Sequence, residues 1–135
     1  WRIRNILWSP DNNFIAFVTQ EHSSRQFDRH LDKKVHVVGI SSQSIDDIFE
    51  HSEGLSWSPD GKYLAFIEEN DCMGMKRKVW LYNIKKKERL QLLASKETID
   101  KVHWLAKDKI AVLASTNTLK STHRTIGWIV YSKIN

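Results

Sequence analysis

Two short phrases place a serine and an aspartate two residues apart beside a tryptophan: Trp8-Ser9-Pro10-Asp11 and Trp57-Ser58-Pro59-Asp60. A serine hydroxyl becomes a useful nucleophile only when an oriented base takes its proton, and neither phrase holds a histidine. Proline and aspartate followed by Asn12 or Gly61 are instead the ingredients of a tight turn. Proline presets φ at the first central position, aspartate suits the second, and Gly or Asn tolerates the left-handed residue after it. Ser9, Asp11, Ser58 and Asp60 therefore read as turn residues.

A second group, Asp46, Asp47, Glu50, His51 and Glu53, has the residue types of a metal site. On a strand, however, adjacent side chains such as Asp46 and Asp47 point to opposite faces, which spoils convergence on one ion. The run Lys85-Lys86-Lys87-Glu88-Arg89 reads as a solvent-facing turn. No Gly-x-Ser-x-Gly elbow, His-Glu-x-x-His, Cys-x-x-Cys or phosphate-binding glycine loop stands in the chain. Such motifs are how the commonest hydrolase, zinc and nucleotide sites announce themselves. The reading is of a chain without catalysis of its own, with no cofactor and no metal.

What remains is a set of basic, aromatic and thioether side chains in three polar stretches. These are Arg25, Phe27, Arg29 and His30, then Met73, Met75, Lys76 and Arg77, and finally His123 and Arg124. Basic groups beside Phe and adaptable Met suit a protein or peptide surface, an acidic one above all. The whole chain of 135 residues carries a net charge of +5, which agrees with an acidic partner but equally with a lysine-rich β surface kept soluble. Nucleic acid is the less favoured partner, because the loops show no evident aromatic platforms for bases. No apolar run is long enough to span a membrane. Cys72 is the only cysteine, so no intrachain disulfide forms, and one thiol leaves the compartment open.

The elements that position these stretches follow from a repeat. Trp8-Ser9-Pro10-Asp11-Asn12-Asn13-Phe14-Ile15-Ala16-Phe17 is restated as Trp57-Ser58-Pro59-Asp60-Gly61-Lys62-Tyr63-Leu64-Ala65-Phe66. A worn copy follows as Trp104-Leu105-Ala106-Lys107-Asp108-Lys109-Ile110-Ala111-Val112-Leu113, and the three tryptophans stand 49 and 47 residues apart. Units of this length holding four short strands are the signature of propeller blades.

Unit one predicts strands over 5–8, 14–19, 35–40 and 45–49, and unit two over 55–57, 63–68, 79–84 and 90–93. Unit three predicts 101–105, 110–114 and 125–131, with no fourth strand. The second strands, Phe14 to Val18, Tyr63 to Ile67 and Ile110 to Ala114, are nearly continuous apolar runs. That pattern predicts cover on both faces. The third strands, Val35-His36-Val37-Val38 and Val79-Trp80-Leu81-Tyr82, mix apolar and amphipathic residues and are placed nearer the rim. His36 and Trp80 fall at matching places, so His36 is read as a rim or interface side chain rather than a ligand.

The Trp-Ser-Pro-Asp-Gly-Lys-x-Leu-Ala-Phe phrase resembles the repeat of TolB-like β-propellers, which is similar to that in propeller domains of the prolyl oligopeptidase and dipeptidyl peptidase family. The resemblance implies an all-β partial propeller of about three four-stranded antiparallel blades, over about 5–50, 54–94 and 100–135, the third incomplete. It also implies rings of about six to eight blades. The reading therefore favours a segment of a longer propeller over copies that assemble through open blade faces. In a propeller the connections from second to third strands gather on one face, which brings the three basic stretches together. The expected function is a non-catalytic protein- or peptide-binding scaffold. The alternative is part of the substrate-gating propeller of a prolyl-oligopeptidase-type serine peptidase, its hydrolase domain lying outside this chain.

Overall fold

Short apolar stretches punctuated by turn residues satisfy their backbone donors and acceptors between strands, and the described residues do so. The computed structural model describes residues 1–21, 33–69, 76–116 and 125–132, with backbone alone at 47, 48, 76, 77, 116 and 125–132. The strands are β1 (Arg2–Trp8), β2 (Phe14–Gln20), β3 (Lys33–Gly39), β4 (Ile45–Glu50), β5 (Ser52–Trp57), β6 (Tyr63–Glu69), β7 (Lys76–Asn83), β8 (Glu88–Ala94), β9 (Thr98–Ala106), β10 (Lys109–Thr116) and β11 (Thr125–Ser132). They form three antiparallel sheets, β1-β2-β3-β4, β5-β6-β7-β8 and β9-β10-β11, and no helix occurs among the described residues. This is an all-β partial propeller with two four-stranded blades and a three-stranded one.

The Ser-Pro-Asp turn is built identically in the first two sheets. Ser58 Oγ donates to Asp60 Oδ1 (2.7 Å) and accepts from Tyr63 N (2.9 Å), while Asp60 Oδ1 also accepts from Lys62 N (3.1 Å). Ser9, Asp11, Asn13 and Phe14 repeat the pattern at 2.5, 2.9 and 3.2 Å. Asn12 and Gly61 take the left-handed conformation at φ 58° and 70°, as the turn requires. Both serines are buried. Their hydroxyls hold the turn together, as the sequence suggests.

Each first strand carries a bulge, between Arg4 and Leu7 in β1 and between Glu53 and Ser56 in β5, with Asn5 and Gly54 at φ 51° and 72°. A Cβ at Gly54 would sit 2.7 Å from Ile67 Cδ1. The equivalent partner in the first sheet is the shorter Val18, and Asn5 takes the matching left-handed position there.

The sheets stack in sequence order. Ala16, Val18, Val35 and Val37 of the first sheet pack on Trp57, Leu64, Phe66 and Tyr82 of the second. Ala65, Ile67, Val79 and Leu81 then pack on Ile99, Val102, Trp104, Ile110 and Val112 of the third. Sandwiched β6 buries Leu64, Ala65, Phe66 and Ile67 in succession. In β2 only Ala16 and Val18 are buried, because the other face of the first sheet has no neighbour. The expectation of cover on both faces is thus corrected for the first unit.

The third strands stand third from the first strand in each four-stranded sheet, and their Val35, Val37, Val79 and Leu81 are core residues packed between the sheets. His36 and Trp80 do match. His36 stacks on Phe17 and is hydrogen-bonded through Nε2 to Thr19 Oγ1 at 2.7 Å, and Trp80 Nε1 donates to Glu68 Oε2 at 2.6 Å.

Candidate functional site

β2, β6 and β10 all run toward one end of the stacked sheets, where the connections to β3, β7 and β11 leave. Lys33, the first residue of β3, fastens this end between the first two sheets. Its Nζ lies 2.6 Å from Glu53 Oε2 on β5 and 3.1 Å from Glu69 Oε1, the last residue of β6. Glu69 is only 3% exposed, and its second oxygen, Oε2, has no hydrogen-bond partner among the described residues. The Glu69 amide donates to His51 O at 2.8 Å, which joins β6 to the β4–β5 connection. An ammonium shared by two carboxylates at a sheet junction ties β3, β5 and β6 to one another. The connections after β2 and β6 thus start from a braced junction.

Three described members of the acidic cluster each pair with a different lysine. Asp46 Oδ1 pairs with Lys87 Nζ at 3.0 Å, Glu50 Oε1 with Lys34 Nζ at 3.0 Å, and Glu53 with Lys33. The Lys34 ammonium holds the Glu50 carboxyl below its usual range, and the hydrogen bond to Asp46 raises Lys87. Burial, with a smaller contribution from the Asp46 charge, pushes the Tyr82 phenol up. These groups brace strand edges and turns. Arg89, placed by the sequence in a solvent-facing turn, instead lays its guanidinium 4.3 Å from the centre of the Phe49 ring and 5.8 Å from that of Trp80.

A cavity of about 260 Å³ opens along the first strands of all three sheets, lined by Asn5, Leu7, Gly54, Leu55, Lys101 and Val102. The two bulges shape it, and Lys101 is its one cationic wall residue. In a propeller these strands face the central channel, so the cavity is a stretch of channel wall.

Of the loop residues singled out in the sequence, Arg25, Phe27, Arg29, His30, Met73, Met75, His123 and Arg124 lie outside the described residues. Lys76 and Arg77 were expected in the connection, but their backbone belongs to β7, with Lys76 paired to Glu69. The connection after β6 is correspondingly short. Sequence reasoning missed the Lys33–Glu53–Glu69 clamp. Lys33 sits among polar loop residues, and its partners lie 20 and 36 positions away.

No protein-family model and no curated protein matches the chain. Solved structures do. Pyrococcus horikoshii acylaminoacyl peptidase superposes with a TM-score of 0.69 at 15% identity, over 90% of this chain and 18% of that one. The β-propeller domain of the Trilobed protease from Pyrococcus furiosus, with its open velcro topology, gives 0.68 at 15% identity over 97% and 41%. TolB from Acinetobacter baumannii gives 0.63 at 17% identity over 97% and 32%. The chain spans less than half the length of each. At these identities the likeness is one of fold, and the fold is a TolB-like propeller segment of the kind present in prolyl-oligopeptidase-family proteins.

Proposed function

We propose that the chain is a non-catalytic propeller segment that binds a protein or peptide at the end of the sheets carrying the second-to-third-strand connections. The clamp of Lys33 on Glu53 and Glu69 carries this reading, because it braces the junction from which the connections after β2 and β6 start. The contact residues assigned to it are Arg25, Phe27, Arg29, His30, Met73, Met75, Lys76, Arg77, His123 and Arg124, and their charge favours an acidic partner. The three units over about 5–50, 54–94 and 100–135 act as one scaffold.

The test is fluorescence anisotropy with glutamate-rich and charge-neutral peptide pools of equal length. The acidic pool is expected to bind more tightly. R25A/R29A/R77A/R124A is expected to lose about tenfold or more in affinity, roughly 1.4 kcal/mol, with an unchanged melting temperature. Equal binding of both pools, or no effect of the fourfold variant, refutes the assignment. Tight binding of single-stranded DNA that falls steeply with salt would move the reading to nucleic acid instead.

The peptidase neighbours favour one second reading, that this segment belongs to the gating propeller of a prolyl-oligopeptidase-type serine peptidase. An α/β-hydrolase domain encoded in the same gene would establish it, and a gene without one would end it.

A further inference from the structure

The β3–β4 and β7–β8 hairpins are one turn built from different residues. Gln43 N donates to Gly39 O at 2.9 Å in the first and Lys87 N to Asn83 O at 2.8 Å in the second. Gln43 and Lys87 are both left-handed, at φ 51° and 55°. Each hairpin is tied to the Ser-Pro-Asp turn of its own sheet, by Ile40 N to Asn13 O at 2.9 Å and by Ile84 N to Lys62 O at 3.0 Å. Matched in this way, Asn13, Ser41, Ser42, Gln43 and Ile45 of the first sheet stand as Lys62, Lys85, Lys86, Lys87 and Arg89 in the second. Neutral residues make the same turn, so the backbone does not need the cations.

Their surroundings show which charges are surplus. Lys87 Nζ is bound to Asp46 Oδ1 at 3.0 Å across the sheet junction. Lys85 and Lys86 are exposed, and neither ammonium has a partner among the described residues. The Lys62 side chain is 67% exposed and lies no closer than 4.0 Å to Asp60. Arg89 is the most firmly placed of the set. Its guanidinium rests on Phe49 of the first sheet and beside Trp80 of its own, and it makes no hydrogen bond or ion pair to a described residue. Held by ring faces, it keeps its N–H donors for a ligand. Asp46 and Glu50 of β4 are already bound by Lys87 and Lys34. Glu88 adjoins Arg89 on the strand and so alternates to the opposite face.

An arginine fork beside unpaired lysines suits phosphate oxygens, which accept a bidentate guanidinium and further cations together. Two features narrow the ligand. Phe49 and Trp80 pack on each other at 5.4 Å beneath Arg89, so these rings are taken and offer no platform for a base. Every residue from Lys85 to Arg89 is charged and exposed, which leaves no apolar side chain there to enter a bilayer.

We propose that the β7–β8 hairpin, with Lys62 beside it, binds an oligophosphate anion, Arg89 gripping one phosphate as a fork while Lys62, Lys85 and Lys86 neutralise its neighbours. The site lies at the end of the sheets opposite the second-to-third-strand connections and is independent of the peptide-binding reading.

The test is isothermal titration calorimetry of the full chain with sodium tripolyphosphate at low salt. Wild type is expected to bind it at least about tenfold more tightly than orthophosphate, with an affinity that falls as salt is added. K85S/K86S carries the first sheet's own residues, so it is expected to fold as wild type by circular dichroism and melting curve while losing about tenfold in affinity. K62N, again a first-sheet residue, replaces it if it does not fold. R89K keeps the charge but not the fork and is expected to lose about fivefold. R25A/R29A/R77A/R124A is expected to bind tripolyphosphate as wild type does. No binding by wild type overturns the proposal, as does binding that K85S/K86S retains or that the fourfold loop variant loses. R89K equal to wild type overturns the role given to Arg89. Glutamate-rich peptide, single-stranded DNA and phosphatidylglycerol vesicles serve as competitors. Tighter binding of any of them that K85S/K86S abolishes overturns the choice of oligophosphate.

Discussion

Substitution of Lys33 by Met keeps the length and apolar stem of the side chain and removes only the ammonium. Two carboxylates then face each other at the junction of the first two sheets, one of them, Glu69, with a side chain 1% exposed. Removing one partner of a buried ion pair costs about 3–5 kcal/mol, because the remaining charge is left desolvated and uncompensated. Lys33 and Glu53 retain 14% and 18% side-chain exposure, so water relieves part of that penalty and the lower figure, about 3 kcal/mol, is expected. For a chain of this size that is a fall of roughly 10 °C in melting temperature.

Charge, not shape, is the cause, so E69Q in the K33M background is expected to recover about 1–2 kcal/mol even though E69Q alone destabilises wild type. Urea unfolding followed by tryptophan fluorescence measures all four corners of the cycle. Amide exchange at Glu69, whose N–H donates to His51 O, should quicken in K33M. A K33M cost below 1 kcal/mol, or strictly additive substitutions, would show that the clamp is ornamental and that the base of the connections is held by something else.

The turn offers three further tests. S58A deletes a buried hydroxyl that serves Tyr63 N and Asp60 together, and an orphaned amide plus a lost charge-assisted bond should cost about 2–3 kcal/mol in the same urea assay. G61A forces a side chain into φ 70° with its Cβ 3.1 Å from Asp11 Cγ, so a loss of about 1–2 kcal/mol is expected, whereas N12G at the matching position should be near neutral. The hydrogen bond from Ser9 lowers the Asp11 carboxyl, and those from Ser58 and Lys62 lower that of Asp60 against the opposing effect of burial. Because both folded-state values are depressed, their contribution is complete above the unfolded value of about 3.9 and is lost as pH falls through the lowered values. D11N/D60N should therefore lose stability less steeply than wild type between about pH 4 and pH 2, and superimposable acid limbs would count against the turn bonds.

Legibility differed between local and non-local structure. Trp-Ser-Pro-Asp-Gly and the apolar run after it announced turn and strand together, because proline, aspartate and a left-handed residue each restrict the same four positions. Eleven strands are expected from that phrase and its echoes and eleven are formed, with β1, β5, β7 and β9 each starting three residues earlier than expected, at Arg2, Ser52, Lys76 and Thr98. Burial was less legible. Val35-His36 and Val79-Trp80 look amphipathic, yet strand alternation alone sends the valines into the core, and the register shifts at these points fall in the partner strands β4 and β8. The Lys33 clamp and the Arg89–Phe49 contact join residues distant in sequence and carry no periodic signal. Trp8 read as the equal of Trp57 and Trp104, because a sequence repeat records position and not whether a neighbour is present.

That last difference explains why fold and partner separate in this molecule. The frame of the first two blades is backbone hydrogen bonding, left-handed positions at the bulge and the turn, and a buried serine, and it tolerates Asn or Gly at the turn and Asn or Gly at the bulge. It also accepts either of two cross-strand pairs at one site, Thr19 with His36 or Glu68 with Trp80. Side chains at the sheet ends and on an uncovered face enter none of those bonds, so the frame does not constrain them. Lys109 is the clearest case. It stands between Asp108 and Ile110 at the position that Phe14 and Tyr63 hold in the other two sheets, where they stack on Trp57 and Trp104. Recognition in a repeat of this kind is thus written in departures from the repeat, and those are the residues on which substitution should alter binding while leaving the stability of the sheets intact.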